Sequence, residues 1–533
     1  MPDELKLFWP SVHGVEFKGK GIIQDWGEEM ERKGWIIEVD PKKWEECDLV
    51  FYGSDSQLNA VPEPLGQKPT ILYFWGWEPG RLLDKGFQKI AAGQLELMAQ
   101  CTRILTPSIG TAEQVACFGL PSQLCLPGVN SRVLDMARPC IKEFQVMFLS
   151  RLVEHKHVDS LILAMSMISP QPKLIICGPG DKSPYEEFAK QVDVDAVFME
   201  LEEEDKATEI SRSMLLVHPS SYEGFGLPPL EALYCGTPVA AFDNPQMRWL
   251  LQEDAFYFSN VEEMAKVIAQ VLQNQGGIQE RTVHGKRRVR EMLTLEHACD
   301  RLWVQIHQTH KEFWAEVVRR DPSRYVEAYD NEHKRNWAYG LQDVAGYTGP
   351  ARFDPTWARH WRAQAFVETL NECHAGHILD VGSGAVYPTI FARAGFEVTA
   401  VDISEECLNQ VMNIAEKWNV DGKVRTVKGD AQSLVFPDST FDAVVQGEIW
   451  EHVLDVERVV SEGLRVLKPG GYLIATSPIG THHYDPFHIR VFDDESIRVL
   501  VNKFSDKAKC KRLEKIAEQG TDPSCYFIVL EKS

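Results

Sequence analysis

The chain has 533 residues, of which 44% are hydrophobic and 25% are charged. This composition excludes a disordered, collagen-like or fibrous protein, and the length predicts three or four globular domains. The formal net charge of -22 argues against nucleic acid as a partner, because counterion release favours a basic surface. No apolar signal core or membrane-spanning run is evident, so we expect no transmembrane segment and a location in the cytoplasm or at the inner face of the membrane.

Two further compositional features bear on partners and environment. The twelve cysteines are scattered without a C-x-x-C pair, which indicates reduced thiols. A basic run at 286–290 is typical of a solvated helix face, and a patch for an anionic acceptor or membrane is the alternative.

Short apolar runs alternate with helical stretches along the chain, which predicts parallel sheets with crossover helices and an α/β fold. The first block ends near residue 135, with strands expected at 6–10, 35–40, 48–53, 70–75 and 103–107. The second has strands expected at 144–150, 173–178, 196–199, 214–219 and 238–243. A helix and connector follow, and a third block reaches the end. The predicted domains are 1–135, 136–310, the connector 311–355, and 356–533.

The segment 220–243 follows a predicted strand and enters a predicted helix. Backbone N–H groups at this helix start suit a phosphate, and Gly224 and Gly226 allow close approach to a ligand. Glu231, expected in the opening turn of the helix, can accept both hydroxyls of a ribose, and Glu223 on the loop can accept sugar hydroxyls. The segment therefore meets the demands of a nucleotide-sugar. Charge complementarity at a helix N-terminus is the alternative role of the two glutamates.

The spacing of the two glutamates, with the flanking Gly-Phe-Gly, Pro-Leu-Glu-Ala and Cys-Gly-Thr-Pro-Val sequences, resembles the E-x7-E signature of family 4 retaining glycosyltransferases. The resemblance covers about residues 1–310. It implies a GT-B fold of two Rossmann-like domains and a hexosyltransferase type of activity that retains anomeric configuration. It also implies that Arg151 and Lys156 bind the donor diphosphate, in a site that includes Gly226 and Leu227.

The chain departs from this family at 75–80, where many relatives place a histidine against the donor sugar and this sequence reads Trp-Gly-Trp-Glu-Pro-Gly. Glu78 or the backbone could substitute, and core packing is an equal explanation for the tryptophans. The departure keeps a second function open, a non-catalytic glycan-binding scaffold attached to an active third block. Asp193 and Asp195 imitate a metal-binding D-x-D pair, but we expect no metal there, because GT-B enzymes stabilise the diphosphate with basic side chains and helix N-termini.

The third block opens with a strand, a glycine loop, a helix and a second strand at 377–404. Asp380 ends the first strand, Gly382 and Gly384 form the turn, and Asp402 ends the second strand, where a carboxylate accepts ribose hydroxyls. A G-x-G pattern alone is weak evidence, and a dinucleotide-binding fold is the alternative.

Later elements favour a methyltransferase. Together with the Gly-Asp-Ala at 429–431 and the Pro-Gly-Gly at 469–471, the loop resembles class I S-adenosylmethionine-dependent methyltransferases. The resemblance covers about 356–533. It implies that Asp380, Gly382, Gly384 and Asp402 bind the cofactor. It also implies that Asp430 and Ala431 contact adenine and that Gln446 and Glu448 border the methionine end.

Methyl transfer to a hydroxyl needs a base close to the reacting oxygen. We expect His452, which follows the fourth strand of the block, or His483, with Asp485 to orient it. A purely structural role is an equal alternative for His452. The segment 481–490 also holds His482, His488 and Arg490, and a metal site is a minor alternative there.

The sequence as a whole predicts a bifunctional enzyme. A glycosyltransferase that uses a nucleotide-sugar is joined to an O-methyltransferase that uses S-adenosylmethionine. The expected acceptor is a glycan, polysaccharide or lipid-linked saccharide, no metal is expected, and the expected context is polysaccharide biosynthesis.

Overall fold

The fold is described from a computed structural model, which describes residues 6–10, 22–77, 85–274, 277–321, 323–324, 326–328, 361–382, 384, 386–480, 488–517 and 524–533. Within it the chain divides into two compact units, residues 4–309 and 310–533. The first unit contains two parallel sheets and the second contains one mixed sheet. These three sheets confirm the predicted α/β class and the three Rossmann-like domains.

The first sheet consists of parallel strands with helices between them. Its strands are β1 (Lys6–Phe8), β2 (Ile36–Glu38), β3 (Leu49–Tyr52), β4 (Thr70–Tyr73), β5 (Arg103–Thr106) and β6 (Gln123–Leu124). The α-helices of this region are α1 (Ile22–Arg32), α2 (Asp55–Ala60), α3 (Lys85–Met98), α4 (Ile109–Cys117) and α5 (Ser131–Asp135), and a 3-10 helix spans Pro41–Glu46. The strand order is β2-β1-β3-β4-β5-β6.

The second sheet is also fully parallel. Its strands are β7 (Glu143–Leu149), β8 (Lys173–Cys177), β9 (Ala196–Met199), β10 (Ser213–His218), β11 (Val239–Phe242) and β12 (Phe256–Phe258). The helices of this region are α6 (Val158–Ser166), α7 (Ser183–Gln191), α8 (Glu203–Arg212), α9 (Leu227–Cys235), α10 (Pro245–Leu251), α11 (Val261–Leu272), α12 (Ile278–Met292) and α13 (Leu295–Arg320), with a 3-10 helix at Glu154–Lys156. The strand order β9-β8-β7-β10-β11-β12 is the 3-2-1-4-5-6 order of a doubly wound nucleotide-binding fold.

The third sheet belongs to the unit 310–533. Its strands are β13 (His377–Val381), β14 (Glu397–Asp402), β15 (Val424–Lys428), β16 (Phe441–Gly447), β17 (Leu467–Pro478), β18 (Ala508–Ile516) and β19 (Cys525–Lys532). The helices are α14 (Trp361–Glu372), α15 (Tyr387–Ala394), α16 (Glu405–Lys417), α17 (Val456–Val466) and α18 (Asp494–Asn502), with a 3-10 helix at Asp421–Lys423. The order is β15-β14-β13-β16-β17-β19-β18, and only β19 pairs antiparallel to its neighbours β17 and β18 among these described strands.

The sheets are buried on both faces, which explains why their strands read as continuous apolar runs. In the second sheet, Val146 and Phe148 of β7 pack into one apolar core while Met147 packs into another. The third sheet is likewise divided, with Leu379 on one side and Ile378 on the other. Successive side chains of a strand thus pack into cores on opposite faces of the sheet. Because both faces are covered, the strand ends are the positions open to ligands.

The observed strands lie within two residues of those predicted for the first two blocks. The short edge strands β6 and β12, and the antiparallel pair β18 and β19, were not predicted. The basic run lies on α12, where Arg288 contacts Asp254 at 2.6 Å and Arg290 contacts Asp135 at 3.1 Å. These internal ion pairs favour a structural role for the run. In the parts of the chain that the structure describes, each helix is too short or too polar to cross a bilayer.

Candidate active sites

The first candidate site lies where the order of the second sheet reverses, between β7 and β10. Loops after these adjacent strands leave in opposite directions, and the crevice between them is the usual ligand position in such sheets. The exposed Arg151 follows β7, His218 ends β10, and Glu223 lies on the loop between β10 and α9. The fold therefore brings together the residues predicted for the donor diphosphate and the donor sugar.

Glu223 forms an ion pair with Lys156, and His218 Nε2 lies 2.7 Å from the Glu223 carboxylate. The side chains of Lys156 and Glu223 are only 6% and 12% exposed. Burial alone would raise the pKa of Glu223, but His218 and Lys156 outweigh it and lower the pKa to about 2. The Glu223 carboxylate is therefore ionised at any physiological pH. Lys156, which was predicted to bind the diphosphate, instead pairs with Glu223, which was predicted to bind the sugar.

Glu231 also contacts a lysine. It is the fifth residue of α9 and not in the opening turn as predicted, because the helix begins at Leu227 directly after Gly226. The Lys206 ammonium on α8 donates to the Glu231 carboxylate at 2.9 Å, and the two side chains are 16% and 11% exposed. Glu231 thus lies just beyond the opening turn, beside a lysine whose role was not predicted from the sequence.

The tryptophan segment that departs from the family pattern packs inside the first unit. The Trp75 indole donates to the Gly53 carbonyl at 2.9 Å, and Trp77 is 6% exposed against Phe74. A Cβ on Gly224 would lie 2.7 Å from the Trp75 carbonyl oxygen, so glycine is needed for this approach between the donor loop and the segment. This space, predicted to admit a ligand, is therefore filled by protein. Glu78 lies outside the described residues.

The second candidate site lies at the corresponding reversal of the third sheet, between β13 and β16. A cavity opens at these strand ends. It is lined by Val318, Val381, Gly382, Val401, Asp402, Ile403, Gly429, Asp430, Ala431, Gln432, Glu448, Ile449, His452, Val453 and Leu454. Gly382, Asp402, Asp430 and Ala431, all predicted to bind the cofactor, are among them.

Backbone geometry explains how the cavity is shaped. Gly382 has a φ of 73°, and a Cβ there would lie 2.6 Å from Ile449, so the turn after β13 requires glycine. The Asp402 carboxylate accepts the Ser404 N–H at 2.8 Å, and that of Asp430 accepts the Gln432 N–H at 2.8 Å. Both carboxylates are therefore held by local backbone bonds, Asp402 at the end of β14 and Asp430 just after β15.

Three predicted cofactor residues are not cavity wall residues. Gln446 is fully buried, where it donates to the Val459 carbonyl at 3.0 Å and accepts from the Trp450 indole at 2.8 Å. Its prediction as a border of the methionine end is therefore corrected, because it ties β16 to α17 within the core. Asp380 is 2% exposed at the end of β13, and Gly384 lies on the loop beyond the wall.

Two further residues singled out from the sequence, His452 and Glu448, line the cavity. His452 lines the cavity, and its ring centroid lies 4.7 Å from that of His488. Glu448 also lines it and forms an ion pair with Arg362. The predicted residues His482, His483 and Asp485 lie outside the described residues.

Comparison with protein-family models identifies both regions. Residues 140–289 match the model for glycosyl transferases group 1, and residues 379–475 match the model for a methyltransferase domain. The chain carries a glycosyltransferase domain and a methyltransferase domain. Both matches agree with the predicted pairing of a glycosyltransferase domain with a methyltransferase domain.

Individual proteins that resemble this chain have low sequence identity to it or match only part of its length. A sterol methyltransferase-like protein 3 from Botryococcus braunii is 30% identical over 172 residues, which is 31% of this chain and 44% of that relative. The chain therefore spans less than half the length of this curated relative. A sucrose-phosphate synthase from Thermosynechococcus elongatus aligns with a TM-score of 0.49 at 17% identity, over 58% of this chain and 99% of that one. A SAM-dependent methyltransferase from Aquifex aeolicus aligns with a TM-score of 0.28 at 19% identity, over 34% and 94%.

Several residues at the two sites were not predicted from the sequence. His218 precedes the glutamate loop at a strand end, a position that could have drawn attention to it. Lys206 and Val318 carry no local signal, because each reaches its site from a helix distant in sequence. Glu451, beside His452, was overlooked because its contacts come from the later segment around Ile489, whose N–H donates to the Glu451 carbonyl at 2.8 Å.

Proposed function

We propose that the chain transfers a glycosyl residue from a nucleotide-sugar to a glycan acceptor, with retained anomeric configuration, and methylates a sugar hydroxyl with S-adenosylmethionine. The observation that carries this proposal is that both family-matched domains gather carboxylates at the reversal point of their sheets. A cytoplasmic location, or one at the inner face of the membrane, accords with substrates of this kind.

In the glycosyltransferase domain, the donor diphosphate binds Arg151, Lys156 and the backbone at Gly226 and Leu227. Lys156 then shifts its interaction from Glu223 to the diphosphate, and Glu223 becomes available to the sugar hydroxyls. Glu231 accepts the ribose hydroxyls. Negative charge that develops on the leaving diphosphate is stabilised by the same basic side chains and by the start of α9.

In the methyltransferase domain, Asp402 accepts the ribose hydroxyls of the cofactor and the segment at Asp430 and Ala431 contacts adenine. The acceptor hydroxyl approaches from the side of His452. A sugar hydroxyl is the proposed nucleophile because the chain carries its own glycosyltransferase domain. The match to the sterol methyltransferase-like relative covers 44% of that protein, which is too small a share to carry its acceptor over to this chain.

The first experiment is a thermal-shift panel with nucleoside diphosphates, nucleotide-sugars and S-adenosylhomocysteine. Binding to the native state stabilises it by about 2.7 kcal/mol at a hundred times the dissociation constant. We expect independent shifts from one nucleotide-sugar and from S-adenosylhomocysteine. Absence of either shift at millimolar ligand would contradict the corresponding activity.

The second experiment separates the enzyme from the glycan-binding scaffold. Hydrolysis or transfer from the nucleotide-sugar that binds is expected, and Glu231→Ala should abolish it. NMR of the new glycosidic bond should show the anomeric configuration of the donor, and an inverted product would refute retention. Nucleotide-sugar binding without any turnover would favour the scaffold.

A further inference from the structure

Glu451, His452 and His488 place three possible metal ligands beside the methyltransferase cavity. Their candidate ligand atoms all lie within 4.8 Å of one another. In the part of the chain that the structure describes, no other group of three or more histidine, cysteine, aspartate or glutamate side chains converges in this way. His452 is also a wall residue of the cavity, so an ion held by the group would lie at the cavity edge.

The group is assembled by contacts between two distant segments. The N–H groups of Ile489 and Arg490 donate to the Glu451 carbonyl at 2.8 and 3.3 Å, which fixes the segment carrying His488 beside the loop after β16. Ser477 on β17 donates to Glu451 Oε2 at 3.1 Å. One carboxylate oxygen is thereby oriented, and the other faces His488.

The spacing within the group suits two ligands of one ion better than a direct hydrogen bond. His488 Nε2 lies 3.9 Å from Glu451 Oε1, which exceeds hydrogen-bond distance. Two ligands of a tetrahedral zinc ion at about 2.1 Å from the metal are separated by about 3.4 Å. The two imidazole rings meet edge to face at 73°, which allows their nitrogen atoms to converge. Small side-chain shifts would therefore close the group around an ion.

The charges around the group leave room for a cation. The Glu451 side chain is only 1% exposed, and a buried carboxylate requires positive charge nearby. Arg490 interacts with Glu451, but also with Asp455 and Glu457. Glu457 is also paired with Lys503, and a bound cation would add positive charge beside the more buried Glu451.

We propose that Glu451, His452 and His488 bind a divalent transition-metal ion at the edge of the methyltransferase cavity. Two imidazole nitrogens with one carboxylate oxygen suit zinc, iron or cobalt better than magnesium or calcium, which prefer oxygen ligands alone. This departs from the expectation that no metal takes part. In this arrangement His452 is a ligand, which replaces the role of free base predicted from the sequence.

The role of the ion rests on the proposed methylation of a sugar hydroxyl. The hydroxyl oxygen coordinates the ion, and its proton is released to water because the metal lowers its pKa. The oxygen then attacks the methyl carbon of S-adenosylmethionine. The C–O bond forms as the C–S bond breaks, and the electron pair of that bond remains on sulfur. The products are a methyl ether, neutral S-adenosylhomocysteine and one proton.

The test uses Co²⁺ alone with the full chain after chelator treatment and dialysis, because the visible spectrum of Co²⁺ distinguishes nitrogen and oxygen ligands from thiolates. One equivalent with a nitrogen- and oxygen-ligand spectrum is expected. Glu451→Gln and His488→Gln should each weaken this binding at least tenfold. The matched control is His374→Gln, an exposed histidine in the same unit, which should bind Co²⁺ like the unsubstituted chain.

Each variant is also titrated with S-adenosylhomocysteine, and unchanged affinity shows that the cavity has kept its fold. Absence of the cobalt spectrum, a thiolate spectrum, or Co²⁺ binding unaltered in both variants would overturn the metal site. Methyl transfer at full rate in chelator would do the same and restore His452 as a free base. Co²⁺ binding with no methylation of any saccharide would instead overturn the proposed acceptor and leave the metal site standing.

Discussion

The proposed donor site of the glycosyltransferase domain and the cavity of the methyltransferase domain occupy the same place in their sheets. The two sites differ in the groups that contact their carboxylates. In the donor site, Glu223 and Glu231 each contact a lysine. In the cavity, Asp402 and Asp430 accept backbone N–H groups. The difference accords with the proposed ligands, because a diphosphate is negatively charged and needs nearby cations, whereas a sulfonium cofactor is itself a cation.

Removal of the Glu223 charge should lower the free energy of unfolding more than any other substitution considered. Glu223→Gln leaves the buried Lys156 without its carboxylate, and breaking such a pair costs roughly 3 kcal/mol. Because the pKa of Glu223 is lowered to about 2 from an ordinary 4.5, its ionised form stabilises the fold above pH 4.5. The difference between wild type and variant should therefore hold from pH 8 to 5 and shrink as the pH falls from 4.5 towards 2.

Native-state hydrogen exchange of the amides in β7 and β10 measures this local free energy in the full chain. The control is Asp243→Asn, which removes an ion pair with Arg248 whose side chains are 32% and 49% exposed. An exposed pair should cost less than about 1 kcal/mol. Equal costs for the two substitutions would show that burial does not distinguish the Glu223 pair.

The next largest expected effect is the selective loss of one ligand in each of two variants. Asp402→Ala should weaken S-adenosylhomocysteine binding about 10- to 100-fold, the value of one or two hydrogen bonds to a charged group, and leave nucleotide binding unchanged. Glu231→Ala should do the reverse. Calorimetric titration of both ligands into both variants measures this, with the exposed Asp421→Ala as control. Loss of both ligands in one folded variant would contradict separate sites.

Most of the fold could be predicted because parallel sheets leave a strong trace in sequence. Strands buried on both faces read as short apolar runs, and the glycine turn at Gly382 and the glutamate loop at 223–231 sit at strand ends. The antiparallel pair β18 and β19 was not predicted. Because β18 is largely exposed, its polar sequence, AKCKRLEKI, lacks the apolar run that indicates a buried strand.

The sites were predicted less completely, because their electrostatics depend on contacts between distant segments. Lys206 and Glu231 are 25 residues apart, and Lys156 and Glu223 are 67 apart. A match to a family motif names residues that touch ligands but does not report which charges neutralise them. Gln446 illustrates the converse, since its position at a strand end suggested a ligand contact although its amide bonds inside the core.

A charged substitution in the wall of the cavity should have a smaller effect, a loss of cofactor affinity of about tenfold. Val318 of α13 lines the cavity although it lies in the predicted connector. Val318→Arg places a charged side chain in this wall and should weaken S-adenosylhomocysteine binding about tenfold, because burying the guanidinium against the ligand costs desolvation free energy. Val304→Arg on the same helix, where the valine is 58% exposed, should have no effect. Equal affinities for both variants would exclude α13 from the cofactor site.

The smallest expected effect is that of chelator on glycosyl transfer, which should be none. We expect this because Arg151 and Lys156 are the cations proposed to stabilise the charge of the diphosphate. Transfer from the nucleotide-sugar should keep its rate in EDTA, while methyl transfer by the same sample falls. Measuring both products in one reaction makes each activity the control of the other, because chelator damage to the whole chain would lower both. Loss of glycosyl transfer that magnesium or manganese restores would show that the lysines of the donor site do not suffice for the diphosphate, and the contrast between the two sites would then fail.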